Sequence, residues 1–109
     1  DLQGGLYMLL GVKTDKAIES KLKSIASSVK YYTNEQDILI DSLSVNNEYV
    51  SFVILDEDDK SNIDSYLKEI KSLSVIKNNL HYTLNFSPKE QDLIKKQAIN
   101  QAVETIRSE

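Results

Sequence analysis

The chain has 109 residues and a mass of 12.4 kDa, enough for one hydrophobic core and too little for two. Leu, Ile, Val and Phe make up roughly 30% of it, well above the level at which a chain fails to offset its ordering entropy, so a disordered tail is excluded. A net charge of −4, with 13 Lys+Arg interspersed among 17 Asp+Glu, gives no basic footprint for nucleic acid or anionic lipid, and the lack of Cys excludes a disulfide scaffold, a thiolate metal site and a Cys nucleophile.

After Asp1-Leu2-Gln3-Gly4-Gly5, the segment Leu6–Val12 reads as a first strand. Its apolar run Leu6–Leu10 falls far short of the ~20 residues of a spanning helix or the ~7–15 of a signal-peptide core. A first helix follows from the spacing of Ile18, Leu22, Ile25 and Val29, with Thr14 or Asp15 as its cap. Ile38–Val45 and Tyr49–Leu55 read as strands joined at Asn46-Asn47, because Asn tolerates the positive φ of a two-residue type I′ turn. That register sets Leu39, Asp41 and Leu43 opposite Ile54, Phe52 and Val50, with Asp41 the odd member of an apolar face. A second helix places Ile63, Tyr66, Leu67 and Ile70 on one stripe, capped by Asp58 or Asp59. Ser74–Lys77 then turns through Asn78-Asn79 onto Leu80–Phe86, where Leu80, Tyr82, Leu84 and Phe86 alternate with His81, Thr83 and Asn85. Ser87-Pro88-Lys89-Glu90 supplies an N-cap Ser, an N1 Pro and an N3 Glu to a last helix striped by Ile94, Ala98, Ala102 and Ile106.

The order β-α-β-β-α-β, with an extra strand and a C-terminal helix, predicts an α+β fold: a ferredoxin-like sandwich with helices on one face of an antiparallel sheet, one domain over residues 1–109. Topology alone names no function. The dense cluster Asp56-Glu57-Asp58-Asp59 has the oxygens a divalent cation favours, yet an EF-hand counted from Asp56 would need Gly and Glu where Ser61 and Leu67 stand. Those acids are expected to cap the second helix and meet its positive end. His81 is the only histidine and lies on the polar face of its strand without a nucleophile motif, so it is expected to be solvated surface.

Phosphoryl chemistry on this topology needs cationic and amide donors at the first strand-to-helix loop, expected at Gly11-Val12-Lys13-Thr14-Asp15. The only Arg is Arg107, far from it. RNA recognition needs aromatics in phase on the central strands, but Tyr49 and Phe52 face opposite sides beside Glu48. Gly4-Gly5 lacks the third Gly and the helix of a phosphate loop and is expected to turn the chain into the first strand. Tyr7, Tyr31 and Tyr32 are candidate contacts for an extended peptide, weighed against the commoner role of sealing a core edge. No catalytic, cofactor or metal constellation emerges.

Asp1-Leu2-Gln3-Gly4-Gly5 running into Leu6–Val12 resembles the Asp-Leu-Arg/Gln-Gly-Gly signature of the SecD family of protein-export subunits. The stretch from Gln97 to Arg107 is similar to the family's helix before an Ile-Arg-Asn-Arg segment, although Ser108-Glu109 depart from the Asn-Arg pair. The resemblance implies a non-enzymatic, extracytoplasmic module next to a first transmembrane helix, cut from a membrane-anchored parent in the bacterial inner membrane. It implies SecF, the Sec protein-conducting channel and unfolded preproteins as partners, with translocation driven by the proton gradient. The family's proton-handling acids lie in transmembrane helices outside this stretch, so no residue here inherits that role. Asp1, Leu2, Gly4 and Gly5 carry over as structural motif residues, Asp1 as a cap or a partner to a neighbouring segment. A first strand outside the sheet, or a nucleotide in a preformed pocket, would count against this expectation. The alternative is a stand-alone ferredoxin-like module that binds a small ligand between two copies.

Overall fold

The computed structural model describes residues 1–108. In chain order the elements are α1 (Leu2–Glu35), β1 (Ile40–Val45), β2 (Val50–Ile54), a 3-10 turn (Glu57–Asp59), α2 (Lys60–Lys68), β3 (Leu73–Asn78), β4 (His81–Phe86) and α3 (Pro88–Ser108). Four strands form one antiparallel sheet in the order β1-β2-β4-β3, as the expected α+β class requires and consistent with a ferredoxin-like domain. Helices cover one face. Val50, Phe52 and Ile54 of β2 and Tyr82, Leu84 and Phe86 of β4 are buried there against Ile18, Leu22, Ala26 and Val29 of α1, Ile63 and Leu67 of α2, and Ile94 of α3. Their spacings of two and of three to four are what place them on one side of each element. The rings of Phe52 and Tyr82 stack across the β2–β4 ladder with centroids 5.3 Å apart.

The first expected strand is absent. Leu6–Val12 lies inside α1, so the element order is αββαββα and the sheet has no strand ahead of the first helix. Asp1, rather than Thr14 or Asp15, caps the helix, its carboxylate accepting from the Gly4 N–H. The Gly11–Asp15 loop is likewise helical; Thr14 donates its hydroxyl to the Gly11 carbonyl at 2.9 Å. The short apolar run carries no information on period, and twenty-odd residues of strong helical pattern downstream propagate the helix backward through it.

The first hairpin also departs from expectation. Its loop has four residues, Asn46–Tyr49, closed by the Asn46 side-chain oxygen accepting from the N–H groups of Glu48 (2.7 Å) and Tyr49 (2.9 Å). Val45 pairs with Val50 and Asp41 with Val53, and a bulge between Asp41 and Ser44 takes up the extra residue at Ser42, whose φ is 58°. The bulge resolves the odd acid: Asp41 turns to the open face and accepts from the Ser42 N–H at 2.8 Å, while Leu43 packs against the core. In the second hairpin the turn is Asn79-Leu80, one position later than expected, with the positive φ of 56° on Asn79.

The first two helix stripes stand as read, with Ala26 more deeply buried than Ile25; of the third, Ile94 is buried, Ala98 and Ala102 are half-buried and Ile106 is exposed. Asp56 caps the 3-10 turn by accepting from the Asp58 N–H at 2.9 Å, and that turn leads into α2, whose own N-cap Asp59 makes no side-chain bond. Ser87 caps α3 by accepting from the Glu90 N–H at 3.2 Å.

Candidate interaction surfaces

The residues of the opening motif sit at the tip of a helical arm. α1 begins well ahead of its first buried residue, Ile18, and runs beside the later turns of α3: Leu9, Lys13 and Ala17 meet Ala98, Ala102 and Ile106 around a hollow of about 420 Å³. The stripe at Ala98, Ala102 and Ile106 therefore packs on the chain's own first helix. Small residues let the two helices approach, but the tip has nothing to cover it. Leu2 is 92% exposed, Met8 75% and Tyr7 63%, with Leu6, Leu9 and Val12 also exposed. Exposed apolar side chains gathered around one end of a helix are the kind of surface that meets another molecule or segment.

Gly4 and Gly5 do not turn the chain into a sheet; both are helical. A Cβ at Gly5 or Gly11 would meet nothing within 4 Å, and one at Gly4 would meet only the Asp1 carboxylate oxygen at 2.8 Å. The helical conformation itself thus makes no use of the absent side chains.

A second cluster was not foreseen from sequence. The Tyr82 hydroxyl, at the end of a fully buried ring, donates to one oxygen of Asp64 at 2.6 Å, and the Lys77 ammonium lies 3.4 Å from the other. Burial, then the Asp64 hydrogen bond, holds the Tyr82 hydroxyl well above its ordinary value. Asp64 flanks the apolar stripe of α2 beside Ile63 and Leu67, and the packing of that helix over the sheet brings it to Tyr82. The signal available was an acid beside Ile63 on the buried side of α2.

Tyr32 stacks on Tyr66 at 4.0 Å and donates to the Asn62 carbonyl at 3.2 Å, tying the end of α1 to α2. Burial raises the Tyr66 hydroxyl. Tyr31 remains 69% exposed, and Tyr7 accepts from the Gln3 amide at 3.2 Å on the arm. Tyr31, Tyr32 and Tyr66 share one open hollow at the end of α1, and Tyr7 lies apart from it on the arm. His81 is exposed on the open sheet face between Val53 and Asn78. Among the described residues no three carboxylates or imidazoles are placed to hold a metal ion, Asp56–Asp59 included, and no helix is long and apolar enough to cross a membrane.

No family model matches the chain, and no solved structure matches it. Among curated proteins it is similar to the protein translocase subunit SecD of Desulfurispirillum indicum, with 24% identity over 110 residues. The match covers 99% of this chain and 21% of that protein, so the chain spans about a fifth of its relative's length. The similarity supports a SecD-like relation.

Proposed function

We propose that this chain is a non-catalytic, extracytoplasmic module of a SecD-type subunit, working beside SecF and the protein-conducting channel as preproteins are drawn across the bacterial inner membrane by the proton gradient. The observation that carries the reading is the similarity to a SecD protein along 99% of the chain, beside which stands the resemblance of the end motifs Asp1-Leu2-Gln3-Gly4-Gly5 and Gln97–Arg107. The missing first strand counts against it, since Leu6–Val12 is helical and lies outside the sheet. In its place stands the uncovered apolar arm, which suits a module that works against other protein surfaces. Residues 1–109 are then one domain of a larger, membrane-anchored protein.

Reading the coding sequence on both sides of this segment tests the proposal. An apolar stretch of about 20 residues just ahead of Asp1 is the expected result. Its absence would sink the assignment.

A further inference from the structure

We infer that the outer edge of β3, with the groove beside it, takes up an extended polypeptide segment in which acidic side chains alternate with apolar ones, as an added fifth strand. The inference rests on the export reading for the source of that segment, an unfolded chain in transit, but the edge itself is argued from geometry.

β1 and β3 are the two edges of the sheet, and they differ. An edge strand presents unpaired backbone groups that template pairing with another chain, and folded proteins ordinarily blunt it. β1 is blunted: the bulge at Ser42 and Leu43, the left-handed Ser42 and the Asp41 carboxylate bonded back to the Ser42 N–H break its outer row. β3 is not. All six of its residues, Leu73 to Asn78, pair with β4 in unbroken register, without a bulge or a proline. Its one charged side chain, Lys77, is drawn toward Asp64 on α2.

The chemistry beside that edge selects the occupant. Between α2 and β3 runs an open groove of about 470 Å³ with Leu67, Ile70, Leu73 and Val75 on its floor and Lys68, Lys71 and Lys77 around it. In a chain of net charge −4 this groove holds three lysines against one carboxylate, Asp64, which is already engaged by Tyr82 and Lys77. On the open face, Ile76 of the same strand is 67% exposed. An added strand would gain main-chain hydrogen bonds from the edge; because its side chains alternate between faces, its acids would turn to the helix side and pair with Lys68 and Lys71 while its apolar groups meet Ile76 on the open face, the pattern of recognition by strand addition.

Titration of the chain with a soluble peptide of alternating valine and aspartate, followed by amide NMR, tests this. Shifts and slowed amide exchange are expected at Leu73–Asn78 with β1 unmoved, and added salt should weaken binding. A double variant Lys68→Glu, Lys71→Glu, whose side chains are exposed and whose spectrum should stay dispersed, is expected to bind about tenfold more weakly. Four results would each overturn the inference: no shift at β3 with peptide in excess, shifts centred on β1 or on the α1–α3 arm, equal binding of a valine–lysine peptide, or pairing of β3 edges between two copies that excludes the peptide. None of them bears on the apolar stretch ahead of Asp1, so the two proposals fail separately.

Discussion

Tyr82 joins the sheet, α2 and the surface charges through one side chain. Its ring fills the core against Phe52, while its hydroxyl reaches Asp64 and, through that carboxylate, Lys77. Removing the hydroxyl keeps the packing and deletes the hydrogen bond, so Tyr82→Phe is expected to lower the free energy of unfolding by about 1–2 kcal/mol in urea titration, with an unchanged slope. The pH dependence has a definite sign. The hydroxyl is held above its ordinary 10.0 in the folded chain, so the unfolded chain releases that proton first. The stability due to neutral Tyr82 is therefore complete below pH 10.0 and is lost as pH rises from there toward the folded value. Unfolding midpoints measured up the alkaline range should fall more steeply for the native chain than for Tyr82→Phe, leaving in the variant the fall due to Tyr66.

α1 is the element in which local preference and observed structure conflict most. Three glycines, Gly4, Gly5 and Gly11, lie in its first third, where each costs about 1 kcal/mol relative to alanine. Since a Cβ at Gly5 or Gly11 meets open space, Gly5→Ala and Gly11→Ala are each expected to raise helicity by circular dichroism and to stabilise the arm by about 0.5–1 kcal/mol. Gly4→Ala should gain less, because the new Cβ crowds the Asp1 oxygen that caps the helix. A fall in helicity in the Gly5 and Gly11 variants would mean that the segment is extended in solution, as its sequence alone suggests.

The same conflict shows what was legible. The three amphipathic stripes, the Ser87 cap and the Tyr82–Leu84–Phe86 alternation could be read because period and capping are local properties. The fate of Leu6–Val12 could not, because five adjacent apolar residues fit either a strand or a helix and the choice was made by the helix that follows. The bulge at Ser42 escaped because a two-residue Asn-Asn turn and a four-residue Asx-closed loop begin with the same residues. The Asp64–Tyr82 pair needed the packing of α2 over the sheet, which no spacing along the chain reveals.

At the scale of the molecule, stability and exposure are unevenly distributed. The body around the sheet holds the fully buried residues, so Leu22→Ala is expected to cost about 2–5 kcal/mol of global stability by denaturant unfolding. Leu6→Ala, on the exposed tip, should stay within about 0.5 kcal/mol of the native chain. The arm also sets the shape. A compact chain of this length has a radius of gyration of about 13 Å, whereas the Cα trace gives 16.9 Å and extents of 55 × 22 × 21 Å. A helix rises 1.5 Å per residue, so the 34 residues of α1 alone account for nearly all of the long axis. Small-angle X-ray scattering at low concentration should therefore return a radius near 17 Å and an elongated distance distribution. A value near 13 Å would mean that the first turns of α1 leave α3 and fold back onto the body, where the unpaired outer edge of β3 is one surface open to them. The peptide titration would then report a competition between this chain's own first residues and the added strand, and deletion of Asp1–Val12 would sharpen binding at β3 instead of leaving it unchanged.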